Sequence, residues 1–159
     1  MKPPTNPTAL KFQSELSARG LPAKVVEFSA TTRTAADAAA AIGCQVGQIV
    51  KSLIFKTQDT QQAILVLTSG ANRVDEDRLR DLAGEPLAKA DAEFVRAWTG
   101  YAIGGVPPFG HAQAMRTFID EDLLAYATIW AAAGTPNAVF ELRPAELVAA
   151  CGGKVVKVS

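Results

Sequence analysis

The chain has 159 residues, enough for one domain whose core needs neither disulfides nor a metal to hold it together. Its 16 basic and 16 acidic side chains cancel, which disfavours sequence-specific or non-specific DNA binding driven by overall charge. No apolar run is long enough to cross a membrane, and the first residues lack the apolar core of a signal peptide. We therefore expect a single domain over residues 1–159 that is soluble and cytoplasmic.

The few metal-binding and thiol residues argue against cofactor chemistry. Cys44 and Cys151 form no CxxC pair, and the only histidine, His111, excludes a Cys/His zinc cluster. Neither GxGxxG nor GxxxxGK[ST] occurs, which disfavours Rossmann and P-loop nucleotide sites. We expect reduced thiols, no metal and no cofactor.

The first third of the chain predicts two helices and a strand. Asn6 is expected to cap a helix that ends at Gly20. The segment Lys24–Phe28 (KVVEF) is typical of a short strand. Thr34 is expected to cap an alanine-rich helix that ends at Gly43, and its small side chains suit packing flat against a sheet.

Two strands dominate the middle of the chain. Ile49–Phe55 (IVKSLIF) and Gln62–Thr68 (QAILVLT) are nearly continuous in apolar residues, which is typical of central strands covered on both faces. The polar KTQDTQ between them predicts a hairpin loop. Two helices should follow, one capped by Asp75 and one running from an Asp91 cap to Trp98.

The segment Gly100–His111, GYAIGGVPPFGH, combines an apolar front half that would suit a buried strand with a stiff glycine-proline loop. The remaining predicted elements are a strand at Arg116–Ile119, a turn or helix at EDLLAY, strands at Thr128–Ala132 and Ala138–Leu142, a helix from Pro144 to Cys151 and a closing strand in KVVKV. Strands outnumber helices and are often adjacent, which argues against a βαβ repeat. The sequence predicts an α+β domain with a mixed, mostly antiparallel sheet that curls toward a barrel and carries peripheral helices.

Lys51 is the most informative side chain. It lies within an apolar central strand, where an ammonium group loses hydration unless it reaches an anion or water. One interpretation is a strand-end lysine whose stem reaches the surface. The other is a functional ammonium that holds a phosphate or an anionic oxygen.

The glycine-proline loop also has two interpretations. Gly104 and Gly105 permit close backbone approach to a ligand, and Pro107 stiffens the loop that follows them. A loop of this kind is a candidate small-molecule pocket, but taken alone it is more typical of a tight connection between strands. His111 closes the loop and is either a general acid/base or a hydrogen-bonding residue that supports it.

The succession IVKSLIF, LVLTSGANRVD, TGYAIGGVPPFGH and IWAAAGTPNAVFEL resembles the YbaK / prolyl-tRNA synthetase editing-domain family of aminoacyl-tRNA deacylases. The resemblance runs from Lys24 to Val158. It implies the YbaK-like fold, ester hydrolysis on aminoacyl-tRNA, and no cofactor. The implied partners are the 3′ end of aminoacyl-tRNA and an aminoacyl-tRNA synthetase.

The resemblance also implies site residues. Lys51 matches the family's strand lysine, and Ser52 matches the small polar residue that often follows it. Gly104 and Gly105 match the paired glycines whose amides lie near the aminoacyl carbonyl, so the catalytic pair implied is Lys51 and Gly105. By the same resemblance, Gly134 falls in a second pocket loop and is implied to bind substrate. We add Pro107 and His111, from the glycine-proline loop itself, as candidate substrate-binding residues. Cysteine-directed relatives carry Ser-Gly-Gly where this chain has Ala132-Ala133-Gly134, which counts against cysteinyl-tRNA as the substrate.

The resulting hypothesis is a trans-editing hydrolase that removes a small non-cognate amino acid from tRNA(Pro) or a related acceptor. The absence of a Ser/His/Asp set is compatible with it, because an aminoacyl ester is already activated and needs mainly positioning and oxyanion stabilisation. The alternatives are a non-catalytic module that binds aminoacyl-tRNA or a synthetase, and a small-molecule ester or thioester hydrolase.

Overall fold

The computed structural model describes residues 1–29, 32 and 34–159. In this part of the chain, one mixed sheet carries five α-helices and two short 3-10 helices. The helices are α1 (Pro7–Ala18), α2 (Ala35–Ile42), α3 (Glu76–Ala83), α4 (Ala92–Thr99) and α5 (Pro144–Cys151), with 3-10 turns at Val46–Gln48 and Glu121–Ala125. The strands are β1 (Val25–Glu27), β2 (Ile49–Thr57), β3 (Ala63–Ser69), β4 (Leu87–Ala88), β5 (Arg116–Asp120), β6 (Ile129–Ala132), β7 (Ala138–Leu142) and β8 (Lys154–Val156).

The sheet follows the order β1-β7-β6-β2-β3-β5-β8, and β4 pairs with β2 off this path. The pairs β1–β7, β6–β7, β2–β3 and β2–β4 are antiparallel, whereas β2–β6, β3–β5 and β5–β8 are parallel. This confirms the mixed, mostly antiparallel α+β architecture. The expected curl does not close a barrel, because β1 and β8 have three residues each and lie at opposite ends of the path.

The predicted caps set the helix boundaries. The side chain of Asn6 accepts a hydrogen bond from the amide of Thr8 at 2.8 Å. Thr34, Asp75 and Asp91 each cap the helix that follows through a bond from the amide three residues ahead. Each such cap stabilises its helix by about 1 kcal/mol. Local side-chain chemistry therefore decides where these helices begin.

The two central strands differ in burial. Every residue of β3 is buried, as expected for a strand covered on both faces. Residues 51–56 of β2 are only half-buried, which differs from the expectation. The reason is that β2 lacks a neighbouring strand along part of one side, where the cavity described below lies.

Three phenylalanines join the first helix, the sheet and the loop after α4. Phe12 contacts Phe109 and Phe140 with ring centroids 5.6 and 5.1 Å apart, and Phe109 meets Phe140 at 5.9 Å. Aromatic pairs of this kind contribute about 1 kcal/mol each beyond the area they bury. They fix the segment after Gly100 to the core.

The segment Gly100–His111 contains no strand, so that part of the sequence prediction is wrong. Gly100 ends α4 in the left-handed conformation, with φ of +83°. Tyr101, Val106 and Phe109 are each buried against the core from an irregular loop and do not belong to a hydrogen-bonded strand. The two-residue strand β4 was not predicted either, because LA carries no alternation to detect.

No helix in the described part of the chain has both the length and the apolar character that crossing a membrane requires.

Candidate functional site

A gap in the sheet beside β2 forms the main candidate site. On this side, β6 pairs with β2 only at Ile49 and Val50, and β4 pairs only at Lys56 and Thr57. Among the described residues, positions 51–55 therefore have a strand neighbour on one side only, which is β3. A cavity of about 600 Å³ lies at this gap.

The cavity is lined from both faces of the sheet. Val50 and Ala131 belong to the main core, whereas Ile49 and Trp130 belong to a smaller cluster beside the alanine-rich α2. The packing of α2 against the sheet, predicted from its small side chains, thus forms one wall. The lining is mostly small and apolar, and Lys51, Ser52, Thr32 and Thr34 are among its polar side chains.

Lys51 lines this cavity and is held by one defined contact. Its Nζ donates to the carbonyl oxygen of Asn72 at 2.7 Å. Burial lowers the pKa of the Lys51 ammonium, the positive charge of Arg73 lowers it further, and Asp120 acts in the opposite direction. An ammonium has three donors, so those that Asn72 does not occupy are able to bind a ligand oxygen.

A buried carboxylate positions the partner of Lys51. Asp120 is 1% exposed and accepts bonds from the Ser69 amide and from Nδ2 of Asn72, both at 2.9 Å. Asp122 accepts from the same Nδ2 at 2.7 Å. These two acceptors fix Asn72 at the end of β3, and the Asn72 carbonyl in turn holds the Lys51 ammonium.

Neither Asn72 nor Asp120 was singled out from the sequence. The available signal was an acidic residue, Asp120, directly after the apolar residues of β5. A carboxylate in that position is buried only when donors satisfy it.

Ser52 also lines the cavity, and its hydroxyl is buried. Neither Ser52 Oγ nor Thr68 Oγ1 makes a hydrogen bond in the described structure. A buried hydroxyl without a partner is unfavourable unless a ligand or water satisfies it. Ser52 Oγ is therefore a polar atom that is available to a molecule in the cavity.

Gly104 lies at the rim of the cavity in a tight turn. The amide of Gly105 donates to the carbonyl oxygen of Ala102 at 3.1 Å, and Gly104 occupies the third position of this turn with φ of +92°. A type II turn requires glycine at that position. The amide of Gly104 makes no hydrogen bond to another described residue, so it is the one of the paired glycine amides that is open to a ligand.

Gly105 and Gly134 lie behind the cavity wall and hold two loops together. The Gly134 amide donates to the Gly105 carbonyl oxygen at 2.9 Å. A Cβ on Gly105 would lie 2.5 Å from the carbonyl oxygen of Gly134, so the two backbones touch. The expectation that both amides of the glycine pair face a ligand is not met, because the Gly105 amide is used inside its own turn.

Pro107 and His111 do not line this cavity. Pro107 is buried, and its carbonyl oxygen accepts a bond from Nε2 of His111 at 2.7 Å. His111 borders a different cavity, of about 280 Å³, together with Arg19 and Cys151. The structure thus brings Lys51, Ser52 and Gly104 together and places the other four predicted residues outside the cavity.

His111 should affect the pH dependence of stability. Burial lowers its pKa, and Arg19 lowers it further, against the opposing effect of its bond to Pro107. The unfolded chain then binds the proton more readily, so the free energy of unfolding should fall as the pH drops below the ordinary histidine pKa of about 6.5. Urea unfolding of the wild type and His111→Asn at pH 7.5 and pH 5.5 measures this. An equal loss of stability in both proteins would contradict it.

The two thiols and the acidic residues of the described structure do not suggest another candidate site. Burial raises the pKa of Cys44 and of Cys151, which disfavours the thiolate form. Within the described residues, no three His, Cys, Asp or Glu side chains cluster as metal ligands.

Comparison with known proteins identifies the family to which the chain belongs. A family model for the aminoacyl-tRNA editing domain matches residues 29–150, which contain β2, the glycine-proline loop and β7. The chain belongs to the aminoacyl-tRNA editing domain family. This confirms the resemblance recognised in the sequence.

Solved structures share the fold of this editing domain along nearly its whole length. A crystal structure of a candidate trans-editing enzyme for prolyl tRNA synthetase is 48% identical, with a TM-score of 0.92 over 98% of this chain and 99% of that one. The crystal structure of hypothetical protein APE2540 is 34% identical, with a TM-score of 0.84 over 93% of this chain and 98% of that one. The YbaK-like fold expected from the sequence is therefore confirmed.

Curated relatives of the editing domain include both separate proteins and larger enzymes. Uncharacterized protein YwhH of Bacillus subtilis is 34% identical over 123 residues, which are 77% of this chain and 78% of that protein. The proline--tRNA ligase of Stenotrophomonas maltophilia is 33% identical over 99 residues, which are 60% of this chain and 17% of the ligase. The chain thus corresponds to a small part of the ligase.

Proposed function

We propose that this editing domain hydrolyses the ester bond of mischarged aminoacyl-tRNA in trans, in the cytoplasm, and thereby releases a small non-cognate amino acid from tRNA(Pro) or a related acceptor. The observation that carries the proposal is the Lys51 ammonium in a largely apolar cavity at the gap beside β2. The similarity to a candidate trans-editing enzyme for prolyl tRNA synthetase and to proline--tRNA ligases supports the choice of acceptor.

The reaction requires little more than positioning. Water adds to the ester carbonyl carbon, the bond from that carbon to the ribose oxygen breaks, and the ribose oxygen leaves as a hydroxyl after taking a proton. Negative charge develops on the carbonyl oxygen, and donors aimed at that oxygen lower the barrier. In this scheme the vicinal ribose hydroxyl of the substrate assists the attack, so the reaction does not require an activated side-chain nucleophile.

Two donors in the cavity suit this chemistry. Lys51 offers the N–H groups that Asn72 does not occupy, to a phosphate of the terminal adenosine or to the developing oxyanion. The amide of Gly104 offers a second donor at the rim. Gly105 and Gly134 act indirectly by holding the two loops together.

The proposal is tested with a panel of tRNAs charged with correct and incorrect amino acids. Purified wild-type protein should release at least one small non-cognate amino acid from tRNA(Pro) and leave prolyl-tRNA(Pro) intact. Binding of aminoacyl-tRNA without release of any amino acid would instead show a non-catalytic module. Equally fast hydrolysis of simple esters that lack RNA would show a general esterase.

Asp120 should tune the pH range of the reaction through Lys51. The Asp120 carboxylate raises the pKa of the Lys51 ammonium, so Asp120→Asn should lower that pKa further. The alkaline fall in kcat/KM for deacylation should then begin at a lower pH than in the wild type. An exposed carboxylate, Asp81, provides the matched control in Asp81→Asn. An unchanged pH profile in a folded Asp120→Asn protein would contradict this coupling.

A further inference from the structure

The direction of the backbone along β2 shows which of its groups face the gap. The carbonyl oxygen of Ile49 accepts from the Gly70 amide, and the Thr57 amide donates to Gln62, so both residues point toward β3. The Gln58 amide points to the opposite side of the strand, where it donates to the carbonyl oxygen of Pro86, next to β4. Successive residues of a strand direct their backbone groups to opposite sides. Odd-numbered residues of β2 therefore face β3, and even-numbered residues face the gap.

With respect to the described part of the chain, two residues of β2 keep backbone groups on that side without a strand partner. Val50 pairs with β6, and Lys56 pairs with β4. Between them, Ser52 and Ile54 direct an N–H and a C=O each into the gap, and neither has a strand partner there among the described residues. Ser52 lines the cavity, whereas Ile54 packs against the main core and does not.

The backbone N–H and C=O of Ser52, which have no strand partner, match one kind of ligand. Two residues opposite each other in an antiparallel pair exchange two hydrogen bonds, N–H to C=O in each direction. An α-aminoacyl ester carries the complementary set, an α-amino donor and a carbonyl oxygen acceptor three bonds apart, as in a residue of a strand. We propose that the main chain of Ser52 binds the α-amino group and the carbonyl oxygen of the aminoacyl ester as one residue of an added strand.

This subsite rests on the proposed function and deepens it, because it selects the α-aminoacyl group itself. The buried hydroxyl of Ser52 lies beside the same main-chain groups and is without a partner. Opposed residues of an antiparallel pair place their side chains on one face of the sheet. The side chain of the bound amino acid would then lie with Val50, Val106 and Ala131, which give that part of the cavity an apolar lining.

The size of the gap favours a single amino acid over a peptide. A peptide strand needs a run of open backbone groups, as in recognition by strand addition. Here β6 ends the gap on one side and β4 on the other, so only Ser52 and Ile54 are open.

The test replaces one backbone amide by an ester, which removes the N–H and leaves the side chain unchanged. Incorporating the α-hydroxy analogue of serine at position 52 deletes the proposed donor. The same change at Ile54 deletes an equivalent unpaired N–H outside the cavity and is the matched control. The probes are 3′-alanylamino-3′-deoxyadenosine, whose amide resists hydrolysis, and the 3′-propionylamino compound, which lacks only the α-amino group.

On the natural backbone, the alanyl probe should bind about ten-fold more tightly than the propionyl probe. The ester at position 52 should weaken binding of the alanyl probe about ten-fold. The ester at position 54 should leave its Kd unchanged, with both ester proteins shown to be folded by their melting curves.

Equal Kd values for the two probes, or a position-52 ester that binds as the wild type does, would overturn the subsite even if mischarged tRNA is hydrolysed. Failure of the wild type to bind the alanyl probe, or tighter binding of a tripeptide, would overturn it as well. Selective binding as expected, with no hydrolysis of any charged tRNA, would uphold the subsite and refute the deacylase function.

Discussion

Replacing Lys51 with methionine should lower kcat/KM for deacylation of the preferred mischarged tRNA at least about a hundred-fold. The substitution keeps most of the apolar stem that lies in the strand and removes the charged donor that faces the cavity. Removing one preorganised donor to a developing oxyanion has an effect of this size in other hydrolases. Single-turnover release of the amino acid from charged tRNA measures the change.

The stability of the same variant separates a functional role from a structural one. Burial lowers the pKa of Lys51, which means that the folded protein disfavours its charged form. Lys51→Met should therefore unfold at the same urea concentration as the wild type or at a higher one. A lysine that served only the fold would show the opposite pattern, with stability lost and activity kept.

Lys56 supplies the matched control for this experiment. It lies on the same strand, is also half-buried, and its Nζ is 5.1 Å from the centre of the Phe94 ring, outside the cavity. Lys56→Met should keep wild-type kcat/KM. Full activity in Lys51→Met, or an equal loss in both variants, would refute the assigned role of Lys51.

The elements that the sequence predicted correctly depend on local signals. Helix starts were predictable because a capping side chain and the amide it accepts from are at most three residues apart. The strand β3 was predictable because a run of seven buried residues leaves a continuous apolar segment. The segment after Gly100 misled the same reasoning, since apolar residues buried singly in a loop look like a buried strand.

The site was only partly predictable, for the same physical reason. Lys51 and Ser52 are anomalies within one strand, and Gly104 lies in a loop of unusual composition, so each is visible locally. Asn72 and Asp120 meet across 48 positions of sequence, and the gap beside β2 exists only because β4 and β6 stop short of each other. Pairings between distant strands carry no signal in a single sequence.

Gly105→Ala should destabilise the protein by about 3 kcal/mol or more and reduce deacylation with it. The added Cβ would lie 2.5 Å from the Gly134 carbonyl oxygen and 2.8 Å from the Cα of Thr135, both backbone atoms that cannot rotate away. The loop that contains Gly134 and Pro136 would have to move. Because Pro136 lines the cavity, the shift should change the site as well as the melting temperature.

Gly104→Ala distinguishes this clash from ordinary backbone strain. Gly104 has φ of +92°, and a Cβ added there would approach Pro136 no closer than 3.7 Å. Gly104→Ala should therefore lose only the free energy needed to hold alanine in the left-handed conformation, about 1–2 kcal/mol. Gly105 is not among the glycines with positive φ, so Gly105→Ala should be destabilised by the steric clash with Gly134 alone and not by backbone strain. Thermal unfolding of both variants should show the larger loss for Gly105→Ala. A smaller loss there than in Gly104→Ala would mean that the two loops separate easily, and that the contact between Gly105 and Gly134 does not hold the wall of the cavity.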